Sequence, residues 1–179
     1  NNCLIPLISC LSEQFKITKG TFVSVHSVTN TQPSLDRAEH SPRWSRASGS
    51  NLIPAPHDNM SLINKFFPDL EGRLIGRTVR APVDHTSYVT CSFEVCNRID
   101  EHAVLDCLAS TRIASTVLGV DHEPLVSSDY VTDPRSCVID GTSIRVVDGS
   151  TILISAWYNN EYGFASRMIN IAEKVSKII

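Results

Sequence analysis

What the chain lacks narrows the field before any motif is read. Its Lys and Arg residues are scattered, with no basic run and no repeated aromatic-basic pattern, so the electrostatic footprint of a nucleic-acid binder is missing. Nucleic acid is therefore not expected as a main partner. No Cys-x-x-Cys occurs among the six cysteines, Cys3, Cys10, Cys91, Cys96, Cys107 and Cys137. They read as buried thiols of a reducing compartment, which gives a cytoplasmic address, and no metal site is expected. No Gly-x-Gly-x-x-Gly follows any strand, so a dinucleotide would be held by polypeptide outside this sequence. The apolar stretch near the front, Leu4 to Leu11, is broken by Pro6, Ser9 and Cys10 and has no basic flank; it is neither signal peptide nor membrane span. There is no initiator Met and no internal repeat, and the missing Met marks the sequence as a processed or cut piece.

What is present suffices for one core. With 179 residues, 42% of them apolar, and a net charge of -3, one domain over residues 1–179 is expected. Leu4, Leu7, Ile8, Leu11 and Phe15 follow a helical period, with Pro6 inside the first turn. A helix is thus expected to start at the front of the chain, and its amino end would lower the pKa of a thiol placed there. Lys19-Gly20 reads as a turn, followed by an alternating, β-branched strand from Thr21 to Val28. From Thr29 to about His57 the chain has no period, and a loop of that length is usually functional or disordered. A helical run from Asn59 to Phe67 ends at Pro68. Strands are expected at Arg73 to Arg80 and Thr86 to Cys96, then a helix capped by Asp100 and reaching about Ser110. Three more strands, Cys137 to Asp140, Ser143 to Val147 and Thr151 to Tyr158, precede a last helix with an apolar stripe at Phe164, Met168, Ile171, Val175 and Ile178. Strands mixed with few helices, without β-α-β alternation, predict an α+β domain: a mixed, largely antiparallel sheet with helices on one face.

Four segments carry more than local structure. They are Asn1-Asn2-Cys3-Leu4-Ile5-Pro6-Leu7; Val25-His26-Ser27-Val28-Thr29-Asn30-Thr31-Gln32; Val79-Arg80-Ala81-Pro82-Val83; and Trp157-Tyr158-Asn159-Asn160-Glu161-Tyr162-Gly163-Phe164. In this order and at these intervals they resemble the catalytic, C-terminal domain of the glyceraldehyde-3-phosphate dehydrogenases. The family's first segment reads Ser-Cys-Thr-Thr-Asn-Cys-Leu-x-Pro-Leu, which puts its nucleophilic Cys two positions before Asn1, outside this sequence. The resemblance implies oxidation of a phosphorylated aldehyde through a thioester with NAD or NADP, in a homotetramer. It makes His26 the catalytic base, Thr29 and Thr31 ligands of the substrate phosphate, Arg80 a phosphate-binding arginine and Asn160 the holder of the nicotinamide carboxamide. The chemistry suits these types. An imidazole works as an acid and base near neutral pH, a guanidinium offers a planar fork to phosphate, and a primary amide matches both ends of another. By pattern alone, His26 reads as a hydrogen-bonded strand histidine, Thr29, Thr31 and Arg80 as surface residues and Asn160 as a helix cap. The loop arginines Arg37, Arg43 and Arg46 read as solvated charges, and Cys3 as a small buried hydrophobe.

The sequence also departs from the family. Where the family has Ser-Thr-Gly in the loop that cradles inorganic phosphate, this chain has Pro56-His57-Asp58. A carboxylate about 4 Å from an anion costs roughly 1 kcal/mol in water and about 4 kcal/mol at an effective dielectric of 20. Asp58 thus weakens that site, His57 stands as a candidate phosphate ligand, and inorganic phosphate stays open as a partner. Ile139-Asp140-Gly141-Thr142 with Arg145 is similar to the erythrose-4-phosphate dehydrogenase branch, which releases its acyl-enzyme to water. Two other classes remain open at this stage: a hydrolase built on Cys3 and His26, and a non-catalytic module that binds a phosphosugar or serves assembly.

Overall fold

The computed structural model describes residues 1–55 and 60–178. Its centre is a seven-stranded sheet in the order β2-β3-β1-β4-β7-β6-β5. The strands are β1 (Ile17–His26), β2 (Ile53–Pro54), β3 (Leu74–Arg80), β4 (Thr86–Val95), β5 (Leu118–Asp121), β6 (Cys137–Val147) and β7 (Thr151–Asn159), and the helices are α1 (Leu4–Ser12), α2 (Ser61–Phe66), α3 (Glu101–Ser110) and α4 (Asn160–Ser176). Two pairings, β1 with β3 and β5 with β6, are parallel; the other four are antiparallel. The α+β architecture expected from the sequence is the one observed.

Alternation along the strands sorts the sheet into two faces. Phe22, Leu74, Val89, Cys91, Phe93, Ile152 and Ile154 turn to one side and pack with Leu7, Ile8 and Leu11 of α1, Ile63 of α2, and Val104 and Leu108 of α3. A nine-residue helix such as α1 is marginal in isolation. It is held by burial of Leu4, Leu7, Ile8, Cys10 and Leu11, each large side chain contributing about 1.5–3 kcal/mol when fully buried. Helix α3 begins where Asp100 accepts a hydrogen bond from the Ala103 N–H at 2.9 Å, a cap worth about 1 kcal/mol. The hairpin joining β6 and β7 turns through Asp148 and Gly149 in the left-handed region, at φ 49° and 63°.

Several boundaries differ from expectation. Lys19-Gly20 is not a turn. Gly20 lies inside β1, paired with Leu74 on one side and Phe93 on the other. A Cβ there would stand 2.6 Å from the Phe93 ring and 2.8 Å from the Ser92 carbonyl oxygen, so glycine is required by packing rather than by turning. Gly20→Ala is expected to lower stability by about 1–3 kcal/mol, read as an earlier urea midpoint with an unchanged slope. The two strands expected around Gly141 form one strand, β6, with a register break between Asp140 and Arg145. Strand β5 was not foreseen: it is four residues long and contains Gly119. The apolar stripe of the last helix is present, and Phe164, Met168, Ile171 and Val175 are each about half exposed. Among the described residues, no helix is long and apolar enough to cross a membrane.

Candidate active site

Three strand ends bring their polar residues to one cavity of about 340 Å³. In parallel register, Ser24 pairs with Thr78 and His26 with Arg80, so the two-residue repeat puts both pairs on the helix-bearing face. Tyr158, near the end of β7, and Asn160, the first residue of α4, reach the same space. Asn1, Cys3 and Leu4 form the wall at the amino end of α1, and Trp44, from the long loop after β1, lines it as well. His26, Arg80, Asn160 and the start of α1 are thus brought together.

The His26 ring is held at both nitrogens. Its Nδ1 lies 2.8 Å from the Ser27 carbonyl oxygen, and Asn160 Nδ2 lies 2.7 Å from Nε2. Arg80 Nη1 donates to that carbonyl at 2.9 Å and also contacts Nδ1. One nitrogen cannot donate to the carbonyl and accept from arginine at once. A carbonyl has two lone pairs, so Ser27 O can accept from both Nδ1–H and Arg80, which leaves Nε2 as the acceptor for the Asn160 amide. If instead Arg80 donates to Nδ1, the ring proton moves to Nε2 and the amide presents its oxygen. The Tyr158 ring meets the imidazole edge to face, centroids 6.0 Å apart and planes at 81°, and its hydroxyl is 2.5 Å from Ser24 Oγ.

Thr29 and Thr31 form a separate cluster; the described residues lining the cavity do not include them. Their hydroxyls are 2.9 Å apart. Gln32, only 7% exposed, accepts from the Thr29 N–H at 2.7 Å and from its hydroxyl at 3.0 Å, and donates to Thr31 Oγ1 at 3.0 Å. Gln32 thereby organises both threonines. His57 lies outside the described residues, as do Pro56 and Asp58. Arg37 and Arg46 form exposed ion pairs with Glu39 and Asp36, in keeping with solvated loop charges, and Arg43 is exposed.

Five of the six cysteines are buried; Cys96 is exposed. Cys3 is 3% exposed and packs in the core. A hydrogen bond with Cys3, together with burial, pushes the Cys137 thiol well above its ordinary range. Cys3 is thus the small buried residue read from the sequence, with one side on the cavity wall. The Asp140 to Arg145 stretch forms the register break of β6, with Thr142 donating to Asp140 through N–H at 3.0 Å and through its hydroxyl at 2.6 Å. It is not among the described lining residues of the cavity.

Residues 1–160 match the family described as glyceraldehyde 3-phosphate dehydrogenase, C-terminal domain. The chain belongs to this family. It is 37% identical over 178 residues to glyceraldehyde-3-phosphate dehydrogenase 3 of Nostoc sp., covering 98% of this chain and 53% of that protein. It is 30% identical over 178 residues to glyceraldehyde-3-phosphate dehydrogenase 2 of Staphylococcus aureus, covering 99% of this chain and 52% of that protein. The chain thus spans about half the length of these curated relatives. For a glyceraldehyde-3-phosphate dehydrogenase C-terminal domain, the sequence pointed to His26, Arg80 and Asn160, and to Gln32 as part of the His26 segment, but passed over Ser24, Trp44 and Thr78. Two of these had a readable signal. Ser24 precedes His26 by one strand repeat, and Thr78 precedes Arg80 likewise. Trp44 sits in an aperiodic loop, where no pattern announces its direction.

Proposed function

We propose that this chain is the catalytic domain of an NAD- or NADP-dependent dehydrogenase that oxidises a phosphorylated aldehyde through a thioester on a Cys two positions before Asn1. The observation that carries the proposal is the meeting of His26, Arg80 and Asn160 in one cavity whose wall includes Asn1. Two residues of extended chain span at most about 7 Å, so a thiol at that position lies within reach of the cavity.

His26 takes the proton from the attacking thiol, returns it to the oxygen of the tetrahedral adduct, and takes it again from the resulting hydroxyl as hydride leaves. Arg80 fixes the ring by bridging it to the Ser27 carbonyl, and supplies positive charge beside the oxygens of an anionic substrate. Thr31, whose oxygen accepts from Gln32 and whose proton is thereby left for another acceptor, donates to the substrate phosphate, and Thr29 does so once its hydroxyl turns from Gln32. The side-chain amide of Asn160 has a donor and an acceptor, the complement of a nicotinamide carboxamide, and it already lines the cavity. When bound, the nicotinamide supplies a hydride acceptor. Asn160 would hold that carboxamide, an engagement that would take its amide from Nε2 of His26 and leave that nitrogen open to the reacting group.

The face of the sheet opposite α1 and α3 exposes Val23, Val25, Ile75 and Leu153. That apolar surface supports self-association, with a tetramer as the proposed assembly. Free, buried thiols support a reducing, cytoplasmic setting.

The test is turnover of glyceraldehyde 3-phosphate and of erythrose 4-phosphate by the whole protein, followed as NADH and NADPH formation with and without inorganic phosphate. Rapid, phosphate-dependent oxidation of the triose is expected if the departure at Pro56-His57-Asp58 leaves phosphorolysis intact. Turnover of the tetrose independent of phosphate would assign the enzyme to the hydrolytic branch. Binding of a sugar phosphate with no reduction of either cofactor would reject the enzyme and leave a binding module.

A further inference from the structure

The imidazole rests on a second layer of side chains, two of which, Ser24 and Thr78, lie just outside the quoted segments. Ser24, Thr78 and Tyr158 line the cavity, and Ser24 and Thr78 stand one strand repeat behind His26 and Arg80. Ser24 is 5% exposed, and a buried hydroxyl is costly unless hydrogen-bonded. Its oxygen lies 2.5 Å from the Tyr158 hydroxyl. That bond is not local: β4 stands between β1 and β7, which places the two strands roughly 10 Å apart. Tyr158 therefore reaches over β4 to Ser24, and on the way its ring presents itself edge to face with the His26 imidazole.

We propose that Ser24 is a positioning residue for the acid–base step: by anchoring the Tyr158 hydroxyl it fixes the aromatic ring against which the His26 ring is set. His26 is otherwise restrained at its nitrogens, by Ser27 O and Arg80 on one side and Asn160 on the other. The Tyr158 ring, nearly perpendicular to the imidazole, adds a packing restraint on the tilt of the His26 ring about its Nδ1–Nε2 direction, and the bond to Ser24 Oγ helps hold the Tyr158 ring there. The inference rests on the acid–base role proposed for His26.

Two measurements test it. In the whole enzyme, Ser24→Ala and Tyr158→Phe are each expected to lower kcat by about 3- to 10-fold with KM for the aldehyde unchanged, the scale of one lost hydrogen bond. Ser24→Thr, which keeps the hydroxyl, is expected to restore the rate, and the double variant to be no slower than the worse single one. In the chain itself, imidazole nitrogen shifts followed by NMR are expected to move for His26 in both single variants and to stay fixed in Val23→Ala, on the opposite face. Wild-type kcat together with unmoved His26 shifts in Ser24→Ala and Tyr158→Phe would overturn the proposal. So would equal losses in Ser24→Ala and Ser24→Thr, or a double variant showing the product of the two losses. Failure of the acid–base reading is distinguishable: the whole enzyme would then turn over equally well with Asn at position 26, whatever happens at Ser24.

Discussion

His26→Asn in the whole enzyme is expected to slow acylation by roughly 100- to 10,000-fold, the range typical of a positioned general base. Asparagine is a demanding replacement, because its amide keeps a polar group close to where Nδ1 of the imidazole lies. The contacts through Ser27 O and Arg80 thus retain a partner, the Asn160 contact to Nε2 is given up to water in the cavity, and the fold is expected to survive. What asparagine cannot do is take up and return a proton near neutral pH. The loss should therefore fall on kcat and on the burst of reduced cofactor in the first turnover, with KM little changed, the signature of an interaction made in the transition state. A burst as fast as that of the parent would remove His26 from the reaction. A slow burst with weakened aldehyde binding would instead make the residue a substrate ligand.

His26, Arg80 and Asn160 could be found in the sequence because each belongs to a short segment of recognisable type and interval. The strand repeat then predicts direction, and the structure brings all three to one cavity. Much of the fold was legible for a related reason: alternation in β3, β4 and β7, the cap at Asp100 and the turn at Asp148-Gly149 are local signals. Misreadings arose where packing, not local preference, decides. Gly20 has the composition of a turn, yet it lies mid-strand because the Phe93 ring occupies the space a side chain would need. Gly141 separates two apparent strands, but a register break lets one strand run through. The Ser24 and Tyr158 pairing joins residues 134 positions apart and depends on a sheet order that no local pattern specifies.

Phe93→Ala is the substitution expected to cost the most stability, about 3–5 kcal/mol. Phe93 is fully buried in β4, between β1 and β7, and pairs with Gly20 on one side and Ile152 on the other. Its ring covers Gly20 and is part of the core that also holds Leu7, Ile8 and Leu11 of α1. Truncation leaves a cavity that cannot collapse easily, because the strands on either side are fixed by their ladders. Against a typical total of about 5–15 kcal/mol, that loss would leave a marginal domain, measured as a fall in the urea midpoint. The Gly20 contact supplies a second, sharper check. If the ring is what forbids a side chain at position 20, Gly20→Ala should cost less in the Phe93→Ala background than alone, since its nearest opponent is gone and the Ser92 carbonyl at 2.8 Å and the flexible end of Leu74 at 3.0 Å remain. Strictly additive losses would mean that the backbone oxygen, not the ring, excludes the methyl group.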